Sequence, residues 1–243
     1  MLQPWQDAVV TKIVQETPTT KRFFMALTSG HVFDFIAGQF VTFDLPIHEQ
    51  KNKRWRSYSI ASAPSNNNEF ELVIVHLEGG LGTTYLFNEV AVGSTLLMRG
   101  PQGVFVLPKP ITTDLYFICT GTGVAPFRSM LMDIHQKKTP HQHMYLLFGC
   151  RQYTDCLYGE EMKALEAVVP QFYYHPSFSR ETEIRDGAQL GYVHATYKKL
   201  LASGASKDAH FYICGWKNMV DEARTTLADL GIPKTQIHFE LYG

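Results

Sequence analysis

The pattern of apolar residues changes its period near residue 110, and this change constrains the fold more than any other feature of the chain. Up to about residue 108, short and often alternating apolar runs are separated by turn residues. Runs of that length and spacing predict antiparallel strands of a barrel or a sandwich. The runs are DAVVTKIV, KRFFMALTS, QFVTFDL, RSYSIAS, FELVIVHL and STLLMRG. A weak helical signal covers residues 82–90.

Beyond about residue 112, strand-like runs alternate with longer helix-like segments. This alternation predicts βαβ units and a parallel sheet. The strand-like runs are LYFIC, MYLLFGC, FYYHPSF, AHFYICG and QIHFELY. The helix-like segments are PFRSMLMDIHQKK, GEEMKALEAVVP and WKNMVDEARTTLADLG. The last segment ends at Gly231 and Pro233, as a helix does.

The segment LPKPITTD separates the two patterns and carries two prolines. A chain of 243 residues is long enough for two domains. We therefore predict an α+β protein with a β-barrel domain over residues 1–109 and an α/β domain over residues 110–243.

Charge and composition exclude several classes of partner. The net charge of −1 and the pI of about 6.8 give no electrostatic reason for binding nucleic acid or an anionic membrane. The start MLQPWQDAVV does not resemble a signal peptide, and no stretch approaches the ~18 apolar residues of a membrane span. We expect a monomeric cytoplasmic protein.

The potential metal ligands of the sequence are few and scattered. Four widely spread cysteines, without a CxxC pair, favour free thiols over disulfides or an iron–sulfur cluster. His141 and His143 could face the same way, but two ligands without a third do not make a metal site. No metal is predicted.

A glycine-rich segment, Thr120-Gly121-Thr122-Gly123-Val124-Ala125-Pro126, joins the strand-like run 115–119 to a helix-like run. Glycines there let backbone N–H groups and the positive helix end meet a phosphate. Pro126 stands where a third glycine is usual, and proline suits the first turn of a helix. An ordinary strand-to-helix turn is the alternative.

Two segments of the first half offer further ligand groups. In Arg56-Ser57-Tyr58-Ser59, the arginine, tyrosine and serine are expected to alternate on one strand face, with Ser57 on the other. An arginine can pair with a pyrophosphate and a tyrosine can cover a ring system. Gly79-Gly80-Leu81-Gly82-Thr83-Thr84 precedes a helix-like stretch and offers a second anion cradle. Each segment has an ordinary alternative, a solvated strand face and a capped turn.

With these motifs in this order, the chain resembles the ferredoxin–NADP reductase superfamily over nearly its whole length. The matching segments are Arg56 to Ser59, Gly80 to Thr84, Arg99 to Phe105, Gly121 to Pro126, Phe148 to Arg151, and Cys214-Gly215 with Met219. So many matching segments in the order of the family are not expected from a chance resemblance.

The resemblance implies a six-stranded antiparallel barrel that holds FAD and a five-stranded parallel sheet that holds NADPH or NADH. It implies an FAD site of Arg56, Ser57, Tyr58, Ser59, Val73, Val75, His76, Gly80, Gly82, Thr83 and Thr84. It implies a nucleotide site of Thr120, Gly121, Thr122, Gly123, Val124, Ala125, Pro126, Gly149, Cys150, Arg151, Ser179, Arg180, Cys214, Gly215 and Met219.

The same resemblance implies roles in hydride transfer for Ser59, Cys214 and Glu240. Ser59 would bond near the flavin N5, and Cys214 would position the nicotinamide without a covalent bond. A buried structural thiol at the end of an apolar strand is the alternative for Cys214. Glu240 matches an acidic residue of several relatives, although a solvated strand edge is the alternative. Tyr242, followed by Gly243, would reach the flavin, whereas the plant-type chains end on the tyrosine.

The choice of nucleotide depends on Ser179-Arg180-Glu181, which resembles the segment that receives the 2′-phosphate of NADPH. A serine hydroxyl with a guanidinium can hold this phosphate, which NADH lacks. The family's downstream lysine is not evident, and the pattern Gly191-Tyr192-Val193 also occurs in relatives that use NADH. We favour NADPH.

The resemblance predicts an oxidoreductase that takes a hydride from NAD(P)H onto FAD and reduces a separate carrier such as ferredoxin or flavodoxin. One alternative is the reductase component of an oxygenase, or a reductase of free flavin or ferric iron. Another is an electron-transfer subunit that binds FAD without hydride chemistry. A plain nucleotide-binding module would be colourless.

Overall fold

The computed structural model describes residues 3–185 and 187–242 of the chain. Its contacts divide the chain into two compact units. The first, which we call the barrel unit, comprises residues 1–107 with 125–136, and the second, the sheet unit, comprises 108–124 with 137–243. The division predicted between residues 109 and 110 stays a prediction.

The barrel unit is one antiparallel sheet of six strands, as the alternating runs predict. The strands are β1 (Trp5–Thr17), β2 (Thr20–Leu27), β3 (Phe40–Asp44), β4 (Trp55–Ser59), β5 (Glu69–Val75) and β6 (Thr95–Gln102). Their order is β4-β3-β6-β1-β2-β5. A bridge between Ile60 and Leu72 joins the two edge strands, which closes the sheet into a barrel. Closure removes the unpaired edges that an open sheet would expose.

Inward-facing apolar residues fill the barrel because side chains alternate along each strand. Phe23, Val41, Phe43, Ile60 and Met98 are among the core residues, each at most 1% exposed. The helix α1 (Leu81–Asn88) follows β5, as the weak helical signal indicates, and contributes Leu86 to this core.

The sheet unit contains a parallel sheet with helices between its strands. The strands are β7 (Asp114–Thr120), β8 (Met144–Cys150), β9 (Phe172–Phe178), β10 (Gln189–Leu190), β11 (Ala209–Trp216) and β12 (Ile237–Tyr242). Their order is β10-β9-β8-β7-β11-β12. The expectation of five strands is wrong by one, because β10 has two residues and carries no periodic signal of its own.

Three helices of the sheet unit accompany the parallel strands: α3 (Gly159–Val168), α4 (His194–Ala202) and α5 (Lys217–Asp229). The helix α2 (Ala125–Lys137), which follows β7 in the sequence, belongs to the barrel unit up to residue 136. The sequence predicts α2, α3 and α5 but not α4. Tyr197 and Leu201 of α4 pack with Val220 and Leu227 of α5 against Phe211 of β11, which gives the sheet unit its own core. None of the helices within the described ranges is both long and apolar enough to cross a membrane.

Candidate functional site

Arg56 and the amino end of α1 meet on the barrel unit. A Cβ added to Gly82 would lie 2.8 Å from Cγ of Arg56 and 3.1 Å from its Nε, so glycine is required for this close approach. The Arg56 guanidinium donates hydrogen bonds to the carbonyls of Lys53 (3.0 Å) and Trp55 (2.7 Å). The arginine is therefore held beside the unpaired N–H groups of the first turn of α1. A guanidinium beside a helix N-terminus suits a pyrophosphate.

Thr83 has a structural role in the same turn. Its hydroxyl accepts a hydrogen bond from the Leu77 N–H (3.1 Å) and lies 3.2 Å from the Gly80 carbonyl oxygen and 3.3 Å from the Leu77 carbonyl oxygen. The N–H of Thr84 bonds to the Gly80 carbonyl (2.9 Å). These hydrogen bonds fix the turn, and Gly80 and Gly82 contribute backbone to it.

Tyr58 presents a neutral phenol from β4. Its ring lies 6.1 Å from that of Phe43, and the barrel core packs against it. Burial raises the pKa of Tyr58 to about 12, although the Arg56 charge opposes the shift. Tyr58 therefore stays protonated near neutral pH, as a side chain that covers an aromatic ring system requires.

The predicted alternation in this motif is wrong for Ser59. Arg56 pairs with Phe43 and Tyr58 with Val41, whereas Ser57 and Ser59 pair with Thr42 and Phe40. Ser59 thus shares the strand face of Ser57, because faces alternate with every residue. The Ser57 hydroxyl lies 2.9 Å from that of Thr42.

The end of β5 completes the predicted flavin surface. Val73 is 4% exposed and lies outside the barrel's core cluster, with Val75 next on the same strand face. The His76 ring lies 5.1 Å from the ring of Phe87 on α1. His76 therefore packs on the helix that carries the anion cradle.

The helix α2, which follows the glycine-rich turn Gly121–Val124, packs against the barrel strands. Arg128 donates hydrogen bonds to the Ala61 carbonyl (2.8 Å) and to Oε2 of Glu71 (3.1 Å). The Ser129 hydroxyl donates to the Ser62 carbonyl (2.6 Å). Sequence reasoning missed these contacts, since no local pattern links residues 57 to 67 positions apart.

In the sheet unit, glycines lie at or near the carboxyl ends of three neighbouring parallel strands. A Cβ added to Gly123 would lie 2.3 Å from the carbonyl oxygen of Cys214, so the turn after β7 packs against the end of β11. A Cβ at Gly149 would lie 3.1 Å from Cγ2 of Thr120, with which Gly149 pairs at the ends of β7 and β8. Carboxyl ends of parallel strands at one edge form the usual ligand crevice of such sheets.

The loop itself leaves room for a ligand at one point. Gly121 has a φ of +53° and no atom within 4 Å of an added Cβ. Next to it, the Oγ1 of Thr120 is buried without a hydrogen-bond partner among the described residues. The helix α2 begins at Ala125 with Pro126 in its first turn, as predicted. An orphaned hydroxyl and open backbone before a helix fit a phosphate-bearing nucleotide.

Cys214 is a buried thiol at the end of β11. Burial is the main cause that raises its pKa well above the ordinary range, and the nearby Glu240 adds to this shift. The nearby Tyr242 side chain opposes it. Glu240 pairs with Cys214 in the β11–β12 register. Met219 lies close by, since a Cβ at Gly215 would be 2.9 Å from its Cε.

Tyr242 pairs with Trp216 in the β11–β12 register, within the sheet unit. Gly243, which follows it in the sequence, lies outside the described residues. The predicted contact of Tyr242 with the flavin stays a prediction.

The segment predicted to receive the 2′-phosphate is bonded to the loop after β8. The Ser179 N–H donates to the Cys150 carbonyl (3.0 Å), as does its hydroxyl (3.3 Å), and the Arg180 N–H donates to the Arg151 carbonyl (2.9 Å). Both arginine side chains are exposed. In the described part of the chain, neither guanidinium has a carboxylate partner. Two free guanidinium groups and a serine thus lie on adjacent loops.

These two units and their cradles define a class, the two-domain flavin and pyridine-nucleotide oxidoreductases. Comparisons with known proteins agree with this class. The family model of the oxidoreductase FAD-binding domain matches residues 7–107, and that of the oxidoreductase NAD-binding domain matches residues 117–225.

Among known proteins, the chain is 34% identical to Ferredoxin--NADP reductase B of Sorangium cellulosum over 93% of each chain. It is 31% identical to the anthranilate 1,2-dioxygenase electron transfer component of Acinetobacter baylyi, over 96% of this chain and 66% of the relative. A ferredoxin NADP+ reductase of Neisseria gonorrhoeae, solved with FAD and NADP, has the same fold, with a TM-score of 0.81, 24% identity and 98% coverage of both chains.

The chain belongs to the ferredoxin reductase-like family. It is an oxidoreductase with FAD and a nicotinamide dinucleotide as its cofactors, as the sequence motifs predict. The predicted six-stranded antiparallel barrel and parallel α/β sheet are confirmed. The individual site residues stay predictions, now with the contacts described above.

Proposed function

We propose that the chain oxidises NADPH and passes the electrons through FAD to a separate carrier protein, ferredoxin or flavodoxin. The observation that carries the choice of NADPH is the cluster of Arg151, Ser179 and Arg180. Two exposed guanidinium groups beside a serine hydroxyl match a phosphate dianion, and NADH has a neutral hydroxyl there. The choice of carrier is supported by the likeness to Ferredoxin--NADP reductase B over 93% of both chains.

In this proposal, FAD supplies the chemistry, since the bound flavin accepts a hydride and can release its electrons one at a time. Arg56 and the first turn of α1 neutralise the pyrophosphate, and the neutral Tyr58 covers the ring system. Thr83 contributes to the pyrophosphate site indirectly, because its hydroxyl holds the turn that precedes α1. Ser59, which is 5% exposed, would bond near the reacting part of the flavin.

On the nucleotide side, the backbone from Gly121 to Gly123 and the Thr120 hydroxyl bind phosphate oxygens. Cys214 contacts the nicotinamide as a neutral thiol, because burial raises its pKa well above the ordinary range. A protonated thiol is a weak nucleophile, which supports a positioning role without a covalent bond. Glu240, in register with Cys214, lies in the same part of the site.

A steady-state assay tests the proposal. The FAD-loaded protein is supplied with NADPH or NADH, and with ferredoxin or flavodoxin as carrier and cytochrome c as the final coloured acceptor. We expect kcat/KM for NADPH to exceed that for NADH by about tenfold or more, the value of one or two hydrogen bonds to a charged group. A preference for NADH would contradict the assignment of Arg151, Ser179 and Arg180.

A second candidate, the reductase component of an oxygenase, is favoured by the 31% identity to the anthranilate dioxygenase component. The chain spans 66% of that relative, so the remaining third has no counterpart here. Reduction of the purified oxygenase partner without any added carrier would favour this candidate. Residence in the cytoplasm and a monomeric state stay predictions.

A further inference from the structure

Two of the four cysteines lie together at the end of β8. Cys150 is the last residue of this strand, and Cys156 follows a single 3₁₀ turn at Tyr153–Asp155. The two thiols are close enough for each to shift the pKa of the other, and Cys150 Sγ donates a hydrogen bond to the Gln152 carbonyl oxygen at 3.3 Å. Both side chains are partly exposed, whereas Cys119 and Cys214 are fully buried. The structure therefore contains one accessible dithiol.

The surroundings of Cys156 favour its thiolate. A Cβ added to Gly159 would lie 2.9 Å from Cys156 Sγ, which places the sulfur at the amino end of α3, where the helix dipole favours negative charge. The Tyr174 hydroxyl is 3.5 Å from the same sulfur.

The neighbouring Cys150 thiol is the main cause that lowers the pKa of Cys156 to about 7, against the effect of burial. Tyr174 and Lys163 lower it further, and Glu160 opposes them. The Cys156 thiol in turn, with burial, Asp155 and Cys119, raises the pKa of Cys150. One thiol of the pair is therefore reactive and the other is a protonated partner.

We propose that Cys150 and Cys156 form a reversible disulfide when a peroxide oxidises the chain. The Cys156 thiolate attacks one peroxide oxygen, the O–O bond breaks, and the departing hydroxide takes a proton to become water. The resulting sulfenic acid is attacked by the Cys150 sulfur, and its hydroxyl leaves as a second water with the Cys150 proton. Two thiols lose two electrons and two protons, and one hydrogen peroxide becomes two waters.

The disulfide would affect the nucleotide loops directly. The Cys150 carbonyl accepts both hydrogen bonds from Ser179, and the next residue, Arg151, holds the Arg180 backbone. A bond from Cys150 to Cys156 restrains the loop that carries this cluster. The functional consequence rests on the proposed function, since it requires Ser179 and Arg180 to bind NADPH.

The first test counts thiols in the FAD-loaded full chain. The protein is reduced, freed of reductant, treated with one equivalent of hydrogen peroxide, and labelled with a thiol reagent after denaturation. We expect the loss of two of the four thiols, a crosslinked peptide containing Cys150 and Cys156, and recovery with dithiothreitol. Cys119 and Cys214 serve as internal controls and keep their thiols. Four intact thiols, or overoxidised Cys156 without a crosslink, would overturn the proposal.

Two variants make the result specific. In Cys150→Ser, peroxide is expected to leave a sulfenic acid at Cys156 that dimedone traps. In Cys156→Ser, no thiol is lost to a crosslink and the KM for NADPH is unaffected by peroxide. In the unchanged chain, oxidation is expected to raise this KM roughly 2- to 10-fold, the value of one weakened hydrogen bond.

A disulfide that forms with an unchanged KM would refute the coupling to the nucleotide loops. If the reduced chain oxidises no NADPH at all, the proposed function fails while the thiol count still decides the disulfide.

Discussion

The two anion cradles of this molecule are built in different ways. In the barrel unit, an arginine side chain from β4 packs over Gly82 of α1, so the charge comes from a side chain held by its neighbours. In the sheet unit, the turn after β7 touches β11 through backbone atoms at Gly123 and Cys214, and the cradle is backbone. In the antiparallel barrel the binding groups are side chains on a strand face, whereas in the parallel sheet they are backbone groups at the ends of strands.

This difference predicts which substitutions damage each cradle. A side-chain cradle fails when its charge or fork geometry is lost. A backbone cradle fails when a single methyl group separates the turn from the strand that it packs on. Glycine substitutions should therefore be most harmful in the sheet unit and charge substitutions in the barrel unit.

The largest effect is expected for Gly123→Ala. The new Cβ would lie 2.3 Å from the Cys214 carbonyl oxygen, about 1 Å closer than an ordinary C···O contact, so the turn after β7 must move away from β11. A displacement of that size costs about 100-fold in rate. Stopped-flow reduction by NADPH should slow by about this factor, while FAD affinity stays within about twofold.

Gly121→Ala is the matched control for this substitution. Its Cβ would meet nothing within 4 Å, and only the φ of +53° is unfavourable for alanine. We expect a loss of about 1–2 kcal/mol in stability and a smaller effect on the rate. Equal effects of both substitutions would show that the contact with Cys214 is unimportant.

The next effect is expected in the barrel unit. Arg56→Ala removes a charge-assisted contact of about 1.5–3 kcal/mol, so the Kd for FAD should rise about 10- to 150-fold in a fluorescence titration. Arg56→Lys keeps the charge without the fork and should have a smaller effect. Arg54→Ala is the control, since Arg54 pairs with Asp44 at 2.7 Å and does not border Gly82. An unchanged Kd for Arg56→Ala would remove this residue from the flavin site.

A third effect concerns selectivity between nucleotides. Arg180→Ala should raise the KM for NADPH about tenfold and leave that for NADH unchanged, because only NADPH carries the 2′-phosphate. Arg185→Ala is the matched control, since Arg185 lies 4.9 Å over the Tyr153 ring. An equal change in KM for NADPH and NADH would mean that Arg180 does not bind the 2′-phosphate.

The smallest effect is a pH dependence of the sheet unit. Burial lowers the pKa of His175, His194 and His238 below the ordinary 6.5, so the unfolded chain binds more protons at acid pH. Stability from these groups is complete above pH 6.5 and is lost as the pH falls below it. Thermal unfolding should show a flat midpoint from pH 7 to 8 and a decline below about 6.5.

His194→Gln should flatten part of this decline, because the buried ring, 2.9 Å from the Tyr197 hydroxyl, would no longer titrate. His31→Gln, on the surface of the barrel unit, is the control. A thermal unfolding midpoint that rises as the pH falls below about 6.5 would contradict the lowered pKa of these histidines.

The sequence predicts the elements that carry a strong period and the motifs that carry a local chemical reason. Six barrel strands, five of the six parallel strands and the start of α2 near Pro126 follow from patterns within a few residues. The strand β10 is too short to show a period. The helix α4 was missed although Tyr197 and Leu201 face the core, because glycine and polar residues flank a short pattern.

Contacts between distant residues could not be predicted. Gly82 is required by Arg56, and Gly123 by Cys214, yet each glycine in the sequence indicates only a turn. The packing of Arg128 on Glu71 joins residues 57 positions apart. The nearness of Cys150 and Cys156 depends on one turn whose geometry the sequence does not reveal.

Anaerobic mixing of the FAD-loaded protein with NADPH tests hydride transfer most directly. The flavin absorbance near its visible maximum should fall in one rapid phase, and the same mixing with NADH should be slower by about tenfold or more. Cys214→Ala should slow this phase if the thiol positions the nicotinamide. Flavin absorbance that stays unchanged with both nucleotides would contradict the assignment of the chain as an NADPH-oxidising flavoprotein.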